Sequence, residues 1–316
     1  MHDALHSKVP AAADGRTIVA WLAERFRYCT EGEWAAHVAA GRVHVDGAVV
    51  TPTSTVRAGH TVAFFPPPAA GTAADVPILF ADDDLLVVDK PPHRVVQTVG
   101  AFAHATFLPA LAARFPPAPG TARLEPVHRL DRETSGVLLI ARSLAATRAL
   151  QRQFEAGLVD KHYLAVVHGT LATDTLTIDA PIGLAPHSAI AARRAVVAAG
   201  TRGARAARTE VVVERRFAAH TLLRVTPRTG RTHQIRVHLE HVGHPLVGDK
   251  LYGQDDASYL AWVAHLKADG DPRTRDGAPV VRQLLHAAAL RCRHPRTGDP
   301  LDLVAPLPAD FDSFRN

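Results

Sequence analysis

Apolar residues in RTIVAWLAERF fall at Ile18, Val19, Leu22 and Phe26, a spacing that gathers them on one side of an α-helix. EGEWAAHVAAG follows as a second helix, with Gly41 as a natural C-terminal stop. The period then changes. RVHVDGAVV reads as strand, Asp-Gly turn, strand, and RAGHTVAFF supplies a third short strand. PPPAAGTAAD, residues 66–75, has the composition of a linker. Beyond it, PILFADDDLLVVDKPP predicts two strands around an acidic turn, and VLLIA predicts a buried strand. SLAATRALQRQFEAG predicts an amphipathic helix with Ser143 at its N-cap. KHYLAVVHG, TEVVVERRF and TLLRVTP are further strands, and QIRVHLEHVG is a helix with Ile235, Leu239 and Val242 on one face. Strands and helices mix without regular βαβ alternation, so an α+β domain around a mostly antiparallel sheet is expected. Residues 254–281 break the pattern and read as an insertion.

Length and composition add bounds. The chain has 316 residues, 47% of them apolar and 21% charged, enough for one large domain and one small one. No apolar run approaches the roughly 20 residues of a membrane span, and the N-terminus lacks a signal-peptide pattern. Cys29 and Cys292 have no CxxC partner, which excludes a disulfide scaffold or a cysteine-rich zinc site and fits a reducing cytoplasm. The formal net charge of +5 favours a polyanion partner. Residues 191–216 carry seven Arg against two Glu, and the Ala and Gly among them predict a mobile, solvated loop.

Polar clusters interrupt the core elements. HRLDRETSG, residues 128–136, sets Asp131 between Arg129 and Arg132. Thr134 and Ser135 are expected to shape this loop by hydrogen bonds, since no general base accompanies them. Gly136 is expected to allow a tight turn before the strand. Lys161 and Tyr163 share one side of a strand by period two. TGRTHQIRVHL leads into GHPLVGDKLYG and brings His233, His238, His241 and His244. His238 and His241 have a usable metal-ligand spacing beside Glu240, but there is no HExxH, and hydrogen bonds to backbone or to the polyanion partner are expected instead. Lys90, within VDKPP, is expected to position a phosphate or local structure.

Taken in order, DDDLLVVDKPP, EPVHRLDRETSGVLLIAR, KHYLAVVHG, GRTHQIRVHLEHVGHPLVGDKLYG and LLHAAALRCRHP with LPADF closely resemble the RluA-type pseudouridine synthases over about residues 77–312. Residues 16–65, through GRVHVDGAVV and AGHTV, resemble the S4-like RNA-binding domain, although five Arg and four acidic residues leave them close to neutral. The resemblance implies a pseudouridine synthase catalytic fold at 77–316, a mixed, mostly antiparallel curved sheet flanked by helices. Ahead of it would come a tail (1–15), the S4-like module (16–65) and a linker (66–76). It implies isomerisation of uridine in ribosomal RNA, transfer RNA or both: the N1–C1′ bond breaks, the base turns, and C5 bonds to C1′. No redox cofactor or metal is needed for that. A catalytically silent RNA-binding protein of the same fold is the alternative.

The same resemblance makes Asp131 the essential carboxylate, as nucleophile or as base, with Arg236 as its guanidinium partner and Arg231 as the alternative, otherwise on phosphate. Tyr163 is implied against the target base and Arg129 in the space that base vacates. His128 is counted among the RNA contacts. Leu285 is implied as an apolar wall under the base, with Leu284 as a competitor. Structured RNA is the expected partner, with no membrane, no small-molecule cofactor and a monomeric chain in the cytoplasm. One departure stands out: the family's KPxG is KPPH here, so His93 replaces a glycine.

Overall fold

The computed structural model describes residues 5–26, 29–65, 76–96, 107–121, 123–267, 274–275, 278–279 and 282–314. The chain divides into two compact units, residues 1–75 with 95–114, and residues 76–94 with 115–316. The linker expected at 66–76 lies, apart from Val76, outside the described residues.

In the first unit, β1 (Leu5–Lys8) precedes α1 (Ile18–Arg25) and α2 (Glu31–Ala39), which are followed by β2 (Val43–Val45), β3 (Ala48–Val49), β4 (Thr61–Phe64) and α3 (Leu108–Arg114). Thr17 starts α1 by accepting from the Ala20 N–H, and Thr30 with Glu33 forms a reciprocal capping box on α2. Asp46 and Gly47 take φ of 49° and 86°, the conformation a two-residue hairpin turn demands. Ile18, Leu22 and Trp34 pack with Val43, Val62 and Phe64 into this unit's own core. Strand order β1-β4-β2-β3 corrects one expectation, because residues 5–8 are an edge strand antiparallel to β4 and not part of a tail. Their side chains are mostly exposed, so the strand is held by backbone pairing that leaves no apolar alternation to read.

The second unit begins with β5 (Ile78–Ala81), β6 (Leu85–Lys90), β7 (Glu125–Pro126), β8 (Ser135–Ala141), α4 (Leu144–Glu155) and β9 (Asp160–His168). It continues with β10 (Thr175–Asp179), β11 (Ile182–Leu184), β12 (Arg194–Val196), β13 (Arg208–Arg216), β14 (His220–Pro227), α5 (Gln234–His241) and α6 (Asp256–Lys267). The hairpin β15 (Thr274–Arg275) and β16 (Ala278–Pro279) comes next, followed by β17 (Leu285–Arg293) and β18 (Pro300–Val304). Ten strands form one sheet, ordered β10-β13-β14-β9-β17-β8-β6-β5, with β7 on β8 and β18 on β17. The seam between β8 and β17 is parallel and the other pairings of this sheet are antiparallel. The mixed, mostly antiparallel α+β architecture is therefore as expected. Every residue of β8 is buried, which is why SGVLLIA reads as a continuous apolar run.

The Arg-rich segment corrects a second expectation. It is not a solvated loop: β12 pairs with β11, and β13 lies between β10 and β14. Arg193 donates to Glu240 at 3.0 Å and to Asp256 at 2.7 Å, and Arg216 donates to the Leu171 carbonyl at 2.8 Å. Asp256 in turn accepts from Ser188 and the Ala189 N–H, so α6, within the segment read as an insertion, is fastened to this region. Of residues 254–281, positions 268–273, 276–277 and 280–281 lie outside the described residues. Among the described residues no helix is long and apolar enough to cross a membrane.

Candidate active site

HRLDRETSG runs into β8 at the parallel seam and is tied down residue by residue. Gly136 has φ 111°, and a Cβ there would come 2.2 Å from the Ala287 carbonyl oxygen, so only glycine lets β8 approach β17. The Ser135 hydroxyl meets His286 Nδ1 at 2.9 Å and accepts from Arg282 at 3.0 Å. Thr134 accepts from the Gln283 amide at 2.8 Å, and Glu133 accepts from Lys250 at 2.9 Å and from the Gln283 N–H at 3.0 Å. Thr134 and Ser135 are each 2% exposed and their hydroxyls are engaged, which suits the loop-shaping role read for them. Lys90 is fully buried, and its ammonium donates to the carbonyls of Pro91, Arg94 and Arg132 at 2.8, 2.9 and 3.1 Å. Of its two expected roles, the local structural one holds, since a lysine with no exposure cannot meet a phosphate.

Asp131 rises from this fixed loop. Its Oδ2 accepts from Arg236 Nη1 at 2.9 Å. The other two nitrogens of Arg236 bind Asp249 in a fork, Nε to Oδ2 at 2.7 Å and Nη2 to Oδ1 at 2.8 Å. Asp249 also accepts from the N–H groups of Leu251 and Tyr252, and the Arg236 guanidinium lies 4.8 Å from the Tyr252 ring centre. Burial pushes the Asp131 carboxyl up, but His233, Arg236 and Arg129 outweigh it, and the net pKa falls to about 2. His233 is itself pushed down to about 4, first by burial. It is therefore neutral at pH 7, where the charges that keep Asp131 ionised are the guanidinium groups.

Asp131, Arg236, Tyr163, Leu285, Arg129, Arg231 and His128 all line one cavity of about 530 Å³. The structure thus brings every expected site residue together, from the β8 loop, β9, α5 and β17. Leu285 reaches the cavity, whereas Leu284 packs with Val166 and Phe311. Burial and the Asp131 charge raise the Tyr163 pKa, so its hydroxyl stays protonated and can donate. Arg129 is exposed, while Arg231 is partly held by the Ala206 carbonyl at 3.0 Å. His128 is more committed than expected: its Nε2 accepts from the Leu139 N–H at 3.1 Å and its ring stacks on Phe154 at 5.2 Å. Burial drives its pKa down to about 3, so it is neutral and keeps one N–H to offer.

The other histidines separate. His238 is fully buried, with Nδ1 on Thr209 at 2.8 Å and Nε2 on the Ala180 carbonyl at 3.0 Å, so both nitrogens are taken. His244 bonds the His168 carbonyl at 2.9 Å, and His241 is exposed. Asp249, Tyr252, Arg282 and Gln283 were missed as site-building residues. GDKLYG carried the signal for the first two. Arg282 and Gln283 act through backbone and side-chain contacts about 150 positions away in sequence, which no local pattern announces.

The fold has counterparts among enzymes that modify RNA. The solved structure of Human RNA Pseudouridylate Synthase Domain Containing 1 superposes with a TM-score of 0.56 at 28% identity, covering 75% of this chain and 85% of that one. The sequence profile of the family described as RNA pseudouridylate synthase matches residues 84–241. A ribosomal large subunit pseudouridine synthase D of Xanthomonas campestris pv. campestris is 38% identical over 308 residues, 96% of this chain and 89% of that protein. Its namesake from Pseudomonas aeruginosa is 35% identical over 310 residues, 96% of this chain and 92% of that protein. The chain belongs to the RNA pseudouridylate synthase family, isomerases that convert uridine in RNA to pseudouridine.

Proposed function

We propose that this chain isomerises uridine in large-subunit ribosomal RNA, with Asp131 as the catalytic carboxylate at the sugar of a flipped nucleotide. One observation carries the reading: the 2.9 Å bond from Arg236 to Asp131 Oδ2, made inside a cavity shared with Tyr163 and Leu285. It keeps the carboxylate ionised while Oδ1 stays available for attack or proton abstraction. Flipping the base costs a few kcal/mol of lost stacking. Tyr163 offers a ring to stack on the flipped base, Leu285 an apolar wall, and Arg129 an exposed side chain to fill the vacated space. Arg231 and the remaining N–H of His128 supply polar contacts to the backbone of the RNA.

The names of the two bacterial relatives favour ribosomal over transfer RNA as substrate. The helix pair and hairpin of the first unit support an S4-like module that selects the RNA. A monomeric chain acting in the cytoplasm fits this reading.

The test is pseudouridine mapping on total RNA from cells lacking the gene, rescued with wild type or Asp131→Asn. One or a few large-subunit sites are expected to vanish and to return with wild type alone. Restoration by Asp131→Asn would remove the catalytic role, and a vanished transfer-RNA site would move the substrate.

A further inference from the structure

We propose that His233 and Asp131 together read the ribose 2′-hydroxyl of the target nucleotide, making His233 a substrate-contacting residue and a source of selectivity for RNA over DNA. The inference rests on the catalytic reading of Asp131 given above.

The first step is the tautomer of His233. The Tyr252 side chain is buried, and its hydroxyl has two partners, the Arg194 N–H at 3.2 Å and His233 Nδ1 at 2.8 Å. The Arg194 amide can only donate, so the hydroxyl accepts there. If Nδ1 also donated, the buried Tyr252 O–H would have no acceptor, a loss that folded proteins avoid. The hydroxyl proton therefore goes to Nδ1, and the neutral ring carries its own proton on Nε2.

The second step is where that proton points. Nε2 lies 4.0 Å from Asp131 Oδ1, the carboxylate oxygen that Arg236 leaves free. That is too long for a direct hydrogen bond and suits one atom between them. An oxygen about 2.8 Å from both would subtend roughly 90° between them, near the angle between the lone pair and the O–H of a hydroxyl. The intervening group must accept from Nε2–H and donate to a carboxylate. A base carbonyl cannot donate, whereas a hydroxyl does both. Inside an RNA strand the 3′ and 5′ oxygens are phosphate esters, so the 2′-oxygen is the one hydroxyl the nucleotide offers, and DNA lacks it. Water has the same chemistry, and the experiment separates the two.

A third observation agrees. His233 has φ 57° and ψ 19°, in the left-handed region at the start of α5. A non-glycine residue held there is strained, and such strain collects where the aim of a side chain matters.

The test uses the full-length protein and a stem-loop RNA carrying the uridine located by mapping, with ribose or 2′-deoxyribose at that one nucleotide. Competition binding is measured for wild type, His233→Asn and His233→Gln. Wild type is expected to prefer ribose by about tenfold, the worth of one hydrogen bond to a charged group. Asn tolerates the left-handed backbone but stops short of the Nε2 position, so its preference should vanish. Gln places an amide N–H near that position and should restore part of it. Equal binding of both RNAs by wild type assigns the gap to water and overturns the proposal, as does an unchanged preference in His233→Asn. Should His233→Asn fail to fold, His233→Ser, whose side chain likewise stops short of the Nε2 position, takes its place, and an unchanged preference there overturns the proposal equally. Failure of wild type to modify the all-ribose stem-loop would count against the catalytic reading instead.

Discussion

Asp249 holds Arg236 through two hydrogen bonds, 2.7 and 2.8 Å long, leaving the third guanidinium nitrogen for Asp131. Asp249 is 2% exposed, so the fork is shielded from water and orients the guanidinium. Asp249→Ala leaves a buried cation half unpaired and should cost on the order of 3 kcal/mol. Its turnover should fall further than its folded fraction, with Asp249→Asn intermediate. Thermal unfolding together with single-turnover rates checks this. Equal rates per folded molecule would show that Asp249 serves stability alone.

The depressed pKa of Asp131 sets a pH window. Its folded value, about 2, lies below the ordinary 3.8, so the folded state binds this proton less readily than the unfolded chain. Its stabilising contribution is full above pH 3.8 and is lost as pH falls toward 2. Single-turnover rates of wild type should show no acid limb from Asp131 between pH 5 and 7. In Arg236→Gln the guanidinium is gone, burial dominates, and an acid limb should appear one or more pH units higher. Superimposable acid limbs in the two proteins would show that Arg236 does not govern this ionisation.

Lys90 acts through three carbonyls, one of them that of Arg132, next to Asp131. Lys90→Met keeps the apolar stem and leaves those oxygens unpaired, at a cost of about 3 kcal/mol. The midpoint of chemical denaturation should fall accordingly. RNA binding by the folded fraction should not change, because the ammonium never reaches the surface. A weakened affinity with unchanged stability would restore the phosphate role.

His93 occupies the glycine position of KPxG with φ 63°, and its Nδ1 is buried without a hydrogen-bond partner among the described residues. His93→Gly should relieve the strain and remove the orphaned nitrogen, stabilising the protein by up to about 1 kcal/mol. A lower unfolding midpoint would mean that the lost packing of the imidazole outweighs both.

Much of this architecture was readable along the chain because it is written in local periods. The 3.6-residue spacing in RTIVAWLAERF and QIRVHLEHVG, the Asp46-Gly47 turn and the Ser143 cap each act within one helical turn or one hairpin. The segments around Asp131, Tyr163 and Arg236 could also be picked out, since each chemistry-bearing residue sits in a short, unusual string. Pairing over distance was hidden. Exposed Leu5–Lys8 joins a sheet through backbone groups that any residue carries, and the arginines of 191–216 look solvated until strands β11 and β10 and the acids Glu240 and Asp256 come beside them. Nothing local tells Gly136 that the Ala287 carbonyl will lie against it, or sends Arg282 and Gln283 to fasten residues 133–135. The folded chain also sets the 4.0 Å gap between His233 and Asp131, because hydrogen bonds and close packing are satisfied between surfaces whose meeting no single stretch of sequence encodes.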